Sequence, residues 1–491
     1  MNRRRLGNGV VETTVLGGLA LLLLAFGFKA GGSVLLAVAL LVTVAAVAAI
    51  ARVDLAHAGL IATCGFVFCS SWTGWYIAGH QRPRALFLIL ALILLLAAHL
   101  NGRFPRVPWW YLALVGSVML DTVLNLLLPT STLYLDNRYL EIPGGTFAAH
   151  LITGISDFGT GLRFLFTLIG AALAISICAL HFPRAPLWIA IAYASGASLS
   201  GLVAFSDDLG LTSLGHALTG IGFRGDRATG FADHPNLMAA GNVYAFAIAA
   251  WLITTNNVRN RMVGLALLPG LVFGTYASRS RGGAICLVVA SLLCVVILPQ
   301  YRRRLRFAVL GAGLIGIVLF VLFPKSGHAL LVATRLAGNS GPSDQGRVAL
   351  LHQGLRDFEH SPIDGIGLHV IDEAHNVILQ TLAAGGLILF LGFLCLQAGS
   401  AFAAFRLIPT QPLAAPLLVT FITGFVFGNL ENTLTEPLVY VPVALIVALG
   451  AQQALEPERD ETSSGDAVGG SARMPGTSTG GERTILPDPA A

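Results

Sequence analysis

Residues Ala85 to Leu100 read ALFLILALILLLAAHL, a run in which His99 is the only titratable side chain. As a helix that rises 1.5 Å per residue, this run is about 24 Å long, close to the ~30 Å hydrocarbon core of a bilayer. The whole chain of 491 residues has the same character, with 55% hydrophobic residues, 11% charged residues and a mean hydropathy of +0.76. A water-soluble core could not bury that much apolar surface, so the sequence predicts an all-α membrane protein.

Similar apolar runs recur from one end of the chain to the other. Their lengths of roughly 15 to 22 residues suit helices that cross a bilayer, and they predict about fourteen crossings. The predicted helices lie near residues 13–28, 33–51, 57–79, 85–100, 109–128, 162–181, 187–204, 237–255, 262–277, 283–299, 307–324, 376–396, 412–428 and 437–453.

Arginines in the short connections predict the orientation, because cytoplasmic connections are enriched in Lys and Arg. With a cytoplasmic N-terminus, the cytoplasmic connections carry Arg52, Arg103, Arg106, Arg184, Arg259, Arg261, Arg302, Arg303, Arg304, Arg306 and Arg406. The prediction is a multi-pass protein of the inner membrane with both termini in the cytoplasm. The last stretch, 456–491, is rich in Gly, Ser, Thr, Pro and charge, which predicts a disordered cytoplasmic tail.

This topology places three long connections on the extracytoplasmic side, at about 129–161, 205–236 and 325–375. Loops longer than about fifteen residues in a compact fold are usually functional or disordered. The third connection contains Arg347–Phe358, where apolar residues at helical spacing predict an amphipathic helix on the membrane surface. A polar site is therefore expected on this side.

The first polar stretch is FRGDRATGFADHPN, residues 223–236. Arg224 and Arg227 precede a Gly-Phe turn, and His234 and Asn236 flank a proline that suits the first turn of a helix. Spacing alone leaves two readings open, a functional site and a solvated loop with a helix-start signal.

The second polar stretch, Ser278–Gly283, reads SRSRGG and lies between two apolar helices on the side that should be poor in arginine. Arginine stays charged and binds phosphate through two parallel hydrogen bonds, so Arg279 and Arg281 are candidate anion ligands. The glycines that follow allow close backbone approach at a helix start. The alternative is that the arginines reach to anionic lipid head groups.

Two further polar stretches come later in the chain. His375 and Asn376 precede an apolar helix, where a histidine could take up a proton near neutral pH or simply neighbour the helix cap. Glu431 and Glu436 lie in the last outer connection, where carboxylates are commonly solvated, and a functional role for them is the less favoured interpretation. The six cysteines all lie in apolar runs, which argues against disulfides and a zinc site.

Taken together and in this order, the stretches resemble the O-antigen ligase / Wzy-C superfamily of membrane glycan ligases and polymerases. The resemblance covers about 224–396, and its matching residues are Arg227, Gly230, Phe231, His234, Pro235, Asn236, Ser280, Arg281, Gly282, Arg347, Pro362, Gly365, Gly367, His375 and Asn376. It implies a GT-C-like bundle with N-terminal transmembrane helices at 1–205, a ligase-like region at 206–455 and the tail at 456–491.

The resemblance also implies an activity, the inverting, metal-independent transfer of a glycan from a polyprenyl diphosphate carrier to an acceptor hydroxyl outside the cytoplasm. Arg227 and Arg281 would hold the diphosphate, and His375 would orient or deprotonate the acceptor. The remaining expected substrate-binding residues are Arg224, Arg279, Arg347, His234, Asn236 and Asn376. Neither a cofactor nor a metal is expected, since the nearest carboxylate pair, Asp207 and Asp208, is adjacent and its side chains diverge. The expected partners are the lipid-linked donor, a glycan, lipid or protein acceptor, and membrane lipids.

Two alternatives remain open at this point. A lipid-linked-oligosaccharide flippase or another transporter would also need many helices and buried polar residues, but it should show related halves, and the sequence has no internal repeat. Within the transferases, a polymerase of lipid-linked repeat units or of peptidoglycan would differ from a ligase only in its acceptor. Nucleic-acid binding is set aside, because the net charge of +5 comes mostly from arginines beside apolar runs.

Overall fold

The computed structural model describes residues 54–76, 82–100, 102, 104–130, 154–298, 341–370, 374–431 and 433–468. Within these ranges the protein is mostly helical, as predicted, and its strands are confined to one short antiparallel hairpin. The elements are α1 Leu55–Phe68, α2 Pro83–His99, α3 Trp109–Leu127, α4 Gly154–His181, α5 Ala185–Asp208, α6 Leu214–Thr219, β1 Phe223–Arg224, β2 Arg227–Ala228, α7 Pro235–Thr254, α8 Val258–Ala277, α9 Arg281–Ile297, α10 Gly341–His360, a 3-10 turn Leu368–Val370, α11 Val377–Leu407, α12 Ala414–Gly428 and α13 Pro437–Val468.

Each predicted apolar segment that the structure describes contains a helix, although α1, α4 and α11 begin or end at residues well away from the predicted bounds. The segments near 13–28, 33–51 and 307–324 lie outside the described residues. In the described part of the chain, six helices are long and apolar enough to cross a membrane, namely α3, α4, α5, α7, α11 and α13. The protein is thus an integral membrane protein, while the count of fourteen crossings stays a prediction.

Helix α1 ends at Phe68, well before the predicted end at residue 79. The chain then turns, and the Trp72 indole Nε1 donates to the carbonyl oxygen of Gly196 at 2.9 Å. Trp72 and Trp75 stack with their ring centroids 5.3 Å apart. The segment is apolar because it packs on other helices, which a hydropathy pattern does not distinguish from a longer membrane helix.

Two regions outside the predicted membrane-spanning segments contain helix. The connection 325–375 includes α10, which confirms the helix predicted at Arg347–Phe358; its place on the membrane surface stays a prediction. Helix α13 continues to Val468, beyond the start of the predicted tail at 456, through a stretch rich in the good helix formers Ala, Gln and Glu. The rest of that tail lies outside the described residues.

Helix α7 is the centre of the bundle and contacts α5, α8, α9 and α12. Small residues lie on all its faces, and the buried ones include Ala239, Ala240, Gly241, Ala245, Ala247 and Ala249. A helix that is apolar on every side must be surrounded by other helices, and small side chains let those helices approach closely.

Helices α3 and α11 pack along a stripe of glycines. Gly385, Gly392 and Gly399 are spaced by seven residues, or about two turns, and face Asp121, Ser117 and Trp110 respectively. A Cβ atom at any of the three would come within 2.4 Å of a side-chain atom of α3. The two helices therefore depend on these glycines for their close contact.

The glycine stripe can be tested by adding a single methyl group. In Gly392→Ala the new Cβ would lie 2.3 Å from Ser117 Oγ, and such overpacking typically costs about 1–3 kcal/mol. The matched control is Gly116→Ala on α3, where a Cβ meets nothing within 4 Å and alanine favours the helix by roughly 0.5–1 kcal/mol. Thermal unfolding in detergent should show a lower Tm for the first variant and an equal or higher Tm for the second. Equal Tm values for Gly392→Ala and the wild type would contradict this packing.

Candidate active site

Glu431, in the connection after α12, is the centre of a polar network although its residue is only 3% exposed. Its Oε1 lies 2.8 Å from His375 Nδ1. Its Oε2 lies 3.2 Å from Arg347 Nη2 and accepts a hydrogen bond of 2.5 Å from Asn236 Nδ2. Three predicted site residues from three distant segments thus meet on one carboxylate.

Arg227 joins the same network through Asn236. Its Nη2 donates to Asn236 Oδ1, and its Nε donates to the carbonyl oxygen of Ser278 at 2.9 Å. We call Arg227, Asn236, Arg347, His375 and Glu431 the Glu431 network. The network connects five elements: the start of α7, the end of α8, α10, the start of α11 and the connection after α12. These parts of the chain therefore lie together at one end of the bundle.

Helix caps fix the positions of the network residues. His234 is the N-cap of α7, and its Nδ1 accepts from the backbone N–H of Asn236 at 3.2 Å. Asn376 is the N-cap of α11, which starts immediately after His375. Ser280 caps α9 by accepting from the N–H of Gly283. Three helix N-termini, each with a partial positive charge, therefore begin at this end.

Burial and neighbouring side chains shift the pKa of Glu431 in opposite directions. Burial raises the pKa of this carboxyl, but His375 and Arg347 outweigh it and hold the pKa below its usual value. Glu431 is therefore an ionised carboxylate at neutral pH. Since Arg227 and Arg347 each bring one positive charge against this single negative charge, the network keeps an excess of positive charge.

His234 is neutral at physiological pH. Its pKa is lowered to about 4, mainly by burial, while Glu431 opposes the shift and Arg227 and Arg224 add to it. A neutral imidazole suits its capping role, because Nδ1 must accept the hydrogen bond from the α7 backbone. His234 thus contributes to the site by positioning Asn236.

Three other predicted site residues, Arg279, Arg224 and Asn376, lie outside the Glu431 network. Arg279 has a left-handed backbone (φ 47°) and is paired with Asp226 at 2.6 Å and Asp208 at 3.3 Å, so its guanidinium is engaged by carboxylates. Arg224 is exposed on the hairpin, across from Arg227. Asn376 uses its side-chain oxygen to cap α11 and donates to Asn429 Oδ1 at 3.3 Å. Arg279 thus pairs with two carboxylates and Asn376 caps a helix, while their expected part in substrate binding stays a prediction.

Arg281 is the first residue of α9 and is half-buried. Gly282, next to it, faces Leu430, since a Cβ at Gly282 would lie 3.6 Å from Leu430 Cβ. Leu430 directly precedes Glu431. Arg281 therefore lies on an element that packs against the connection carrying the centre of the network.

A second ion cluster connects the N-terminal helices to this end of the bundle. Glu436 lies 2.5 Å from Arg84 Nη1 and 3.5 Å from Arg82 Nη1. Arg82 Nη2 also lies 3.5 Å from Asp233, which accepts a hydrogen bond of 2.5 Å from the Thr73 hydroxyl. Asp233 precedes the α7 cap, so α1 and α2 help to position the start of α7.

The sequence did not assign roles to Glu431, Glu436, Arg82 or Arg84. A usable signal existed for the arginines, because Arg82 and Arg84 follow the predicted crossing at 57–79 and so also lie on the arginine-poor side. Glu431 carried no such signal, since its burial depends on contacts with residues 56 or more positions away along the chain.

The fold and the site define an integral membrane protein whose charged residues gather around a buried carboxylate at one end of a helical bundle. The family model Wzy_C, O-Antigen ligase, matches residues 264–394. The match confirms the predicted resemblance over this segment. It includes Arg281, Arg347 and His375, whereas Arg227 and Glu431 lie outside it. Comparison with curated proteins gives no significant match.

Proposed function

We propose that the protein transfers a glycan from a polyprenyl diphosphate carrier to an acceptor hydroxyl at the Glu431 network. The observation that carries this proposal is the meeting of His375, Arg347 and Asn236 on one buried carboxylate. These residues combine a proton acceptor with fixed positive charge, the two components that glycosyl transfer from a diphosphate requires. The O-antigen ligase match over 264–394 supports the same reaction class.

Arg227, Arg281 and Arg347 are proposed to hold the donor diphosphate. A guanidinium group binds phosphate oxygens through two parallel hydrogen bonds and keeps its charge at any relevant pH. Negative charge develops on the diphosphate as the sugar leaves, so fixed cations stabilise the transition state more than the ground state. We infer that the arginines and the converging helix N-termini fill the role that a metal ion has in other transferases.

His375 is proposed to act as the general base. Glu431 Oε1, 2.8 Å from Nδ1, favours the tautomer with the proton on Nδ1 and leaves Nε2 to accept a proton. The acceptor oxygen attacks the anomeric carbon, its proton passes to Nε2, and the bond from that carbon to the diphosphate oxygen breaks. The electron pair leaves with the diphosphate. Attack opposite the leaving group inverts the configuration of the anomeric carbon.

The network end of the bundle is proposed to face the extracytoplasmic side of the inner membrane. Support comes from the opposite end, where Arg184, Arg259, Arg261 and Arg406 lie at the ends of α5, α8 and α11. An excess of arginine marks the cytoplasmic side. The diphosphate would then sit at the extracytoplasmic surface while the polyprenyl chain remains in lipid.

Arg281 supplies a test of the proposed diphosphate site. We expect Arg281→Ala to lose about 10²–10³-fold in glycan transfer, the usual effect of removing one fixed donor from a transition-state anion. Arg281→Lys should also lose activity, because an ammonium group does not reproduce the guanidinium fork. The assay uses purified protein, a polyprenyl diphosphate-linked glycan and a chelator, with exposed Arg259→Ala at the other end of the bundle as the matched control. Normal turnover by Arg281→Ala, or loss of wild-type activity in chelator, would overturn this assignment.

A further inference from the structure

Helix α11 is broken at Gly385 and Gly386, and a neighbouring segment repairs the break. Gly386 has φ 57° and ψ −150°, which is not helical. The carbonyl oxygen of Ala383 accepts from Ile366 N at 2.9 Å, and Leu387 N donates to the carbonyl oxygen of Pro362 at 2.9 Å. The segment 362–367 thus replaces the hydrogen bonds that an unbroken helix would make, as the interior of a membrane requires.

Asp121 on α3 lies against this break. A Cβ at Gly385 would come within 2.1 Å of Asp121 Oδ2, and the Asp121 residue is 0% exposed. Neither carboxylate oxygen receives a hydrogen bond from the residues that the structure describes. Two polar neighbours on α3 donate to main-chain oxygens and not to the Asp121 carboxylate. Thr122 Oγ1 donates to the carbonyl oxygen of Val118, and Asn125 Nδ2 donates to the carbonyl oxygen of Asp121.

The electrostatic surroundings of Asp121 favour a bound cation. Asp364, on the segment that fills the break, is a charged neighbour of Asp121, and its charge has the same sign. An isolated buried carboxylate costs several kcal/mol, so it must be neutralised. One carboxylate brings one negative charge, which a single positive charge neutralises.

We infer that Asp121 binds a monovalent cation, sodium or a proton, at the break in α11. Broken membrane helices beside a buried carboxylate are the usual construction of such sites in membrane proteins. Gly385 lies eight residues, or about 12 Å, along α11 from its first residue, which directly follows His375 and Asn376. The cation would stabilise the bend that sets the direction of this first part of α11. The inference concerns a site separate from the Glu431 network and does not need the proposed transfer reaction.

The test is the thermal stability of the full chain in detergent, measured without any substrate. Sodium chloride replaces N-methylglucamine chloride at constant ionic strength and pH 7.5, and in a second series the pH is raised at constant sodium. We expect the wild-type Tm to rise by a few degrees with sodium, or to fall with rising pH, and Asp121→Asn to abolish the dependence. A Tm that rises with sodium identifies sodium as the bound cation, and a Tm that falls with rising pH identifies the proton. Exposed Glu359→Gln is the matched control and should behave as the wild type.

Three results would overturn the inference: a wild-type Tm that responds to neither series, an Asp121→Asn variant that keeps the response, or a variant whose Tm falls equally in every condition. The last result would mean that Asp121 pairs with another residue of the chain. If Asp121→Asn does not fold, binding of radioactive sodium to the wild-type protein, with acid as competitor, decides the matter. Absence of both sodium binding and a pH-dependent Tm would then rule out the site.

Discussion

Glu431→Gln should lower glycan transfer by about 10²–10⁴-fold, the range typical of disabling a general base. Glutamine keeps the size of the side chain but removes the charge that holds His375, Arg347 and Asn236 together. His375 would lose the partner that selects its tautomer, and Arg347 would lose its neutralising carboxylate. The rate constant for transfer at saturating donor is the quantity to measure, because donor binding by the arginines should change less.

The control for this variant is Glu359→Gln, which makes the same chemical change at an exposed position of α10. Breaking a buried ion pair can also destabilise a protein by roughly 3–5 kcal/mol, so the Tm of each variant should accompany the rate. A folded Glu431→Gln protein that transfers glycan as fast as the Glu359→Gln control would show that the buried carboxylate has no part in the chemistry.

His375→Ala should lower transfer to a similar degree, about 10²–10⁴-fold, because the acceptor would lose its proton acceptor. Alanine also leaves Glu431 Oε1 without the histidine 2.8 Å away. The cap residue Asn376 is unchanged, so α11 should still begin at Val377. The measurement is single-turnover transfer with donor already bound, which separates the chemical step from binding. Unchanged single-turnover rates would exclude His375 as the base.

The pH dependence of transfer follows from the shifted pKa values of His234 and Glu431. The pKa of His234 is about 4, so above about pH 5 this residue stays neutral and contributes no change in rate. The lowered pKa of Glu431 keeps its carboxylate charged at neutral pH, and its stabilising charge is lost only as the pH falls through that lowered value. Neither residue is therefore expected to produce an acid limb near neutral pH in the rate of glycan transfer, and the pH profile of wild-type turnover is the measurement that checks this.

The helices could be predicted from sequence because their causes are local. The apolar runs at 109–128 and 237–255 ended within a few residues of α3 and α7, since proline and polar residues flank both runs. Arg227, Arg347 and His375 were also identified in advance, through the motif resemblance. Their roles remain proposals, while their meeting in space is a property of the fold.

The rest of the site depends on long-range contacts that no local pattern specifies. Arg279 and Arg281 lie two residues apart in the same motif. The motif does not indicate that Asp208 and Asp226 form ion pairs with Arg279. Glu431 and Asp121 look like a solvated carboxylate and an isolated polar residue until the helices are packed. A carboxylate becomes functional through the groups that surround it, and those groups come from distant segments.

The most direct test of the account compares transfer by the wild type, Glu431→Gln, His375→Ala and the double variant in liposomes. The assay supplies a labelled polyprenyl diphosphate-linked glycan and an acceptor, with chelator present. If His375 and Glu431 act as one unit, the double variant should be no slower than the slower single variant, because each change alone already removes the oriented base. Losses that multiply in the double variant, or a wild type that transfers no glycan, would contradict the account.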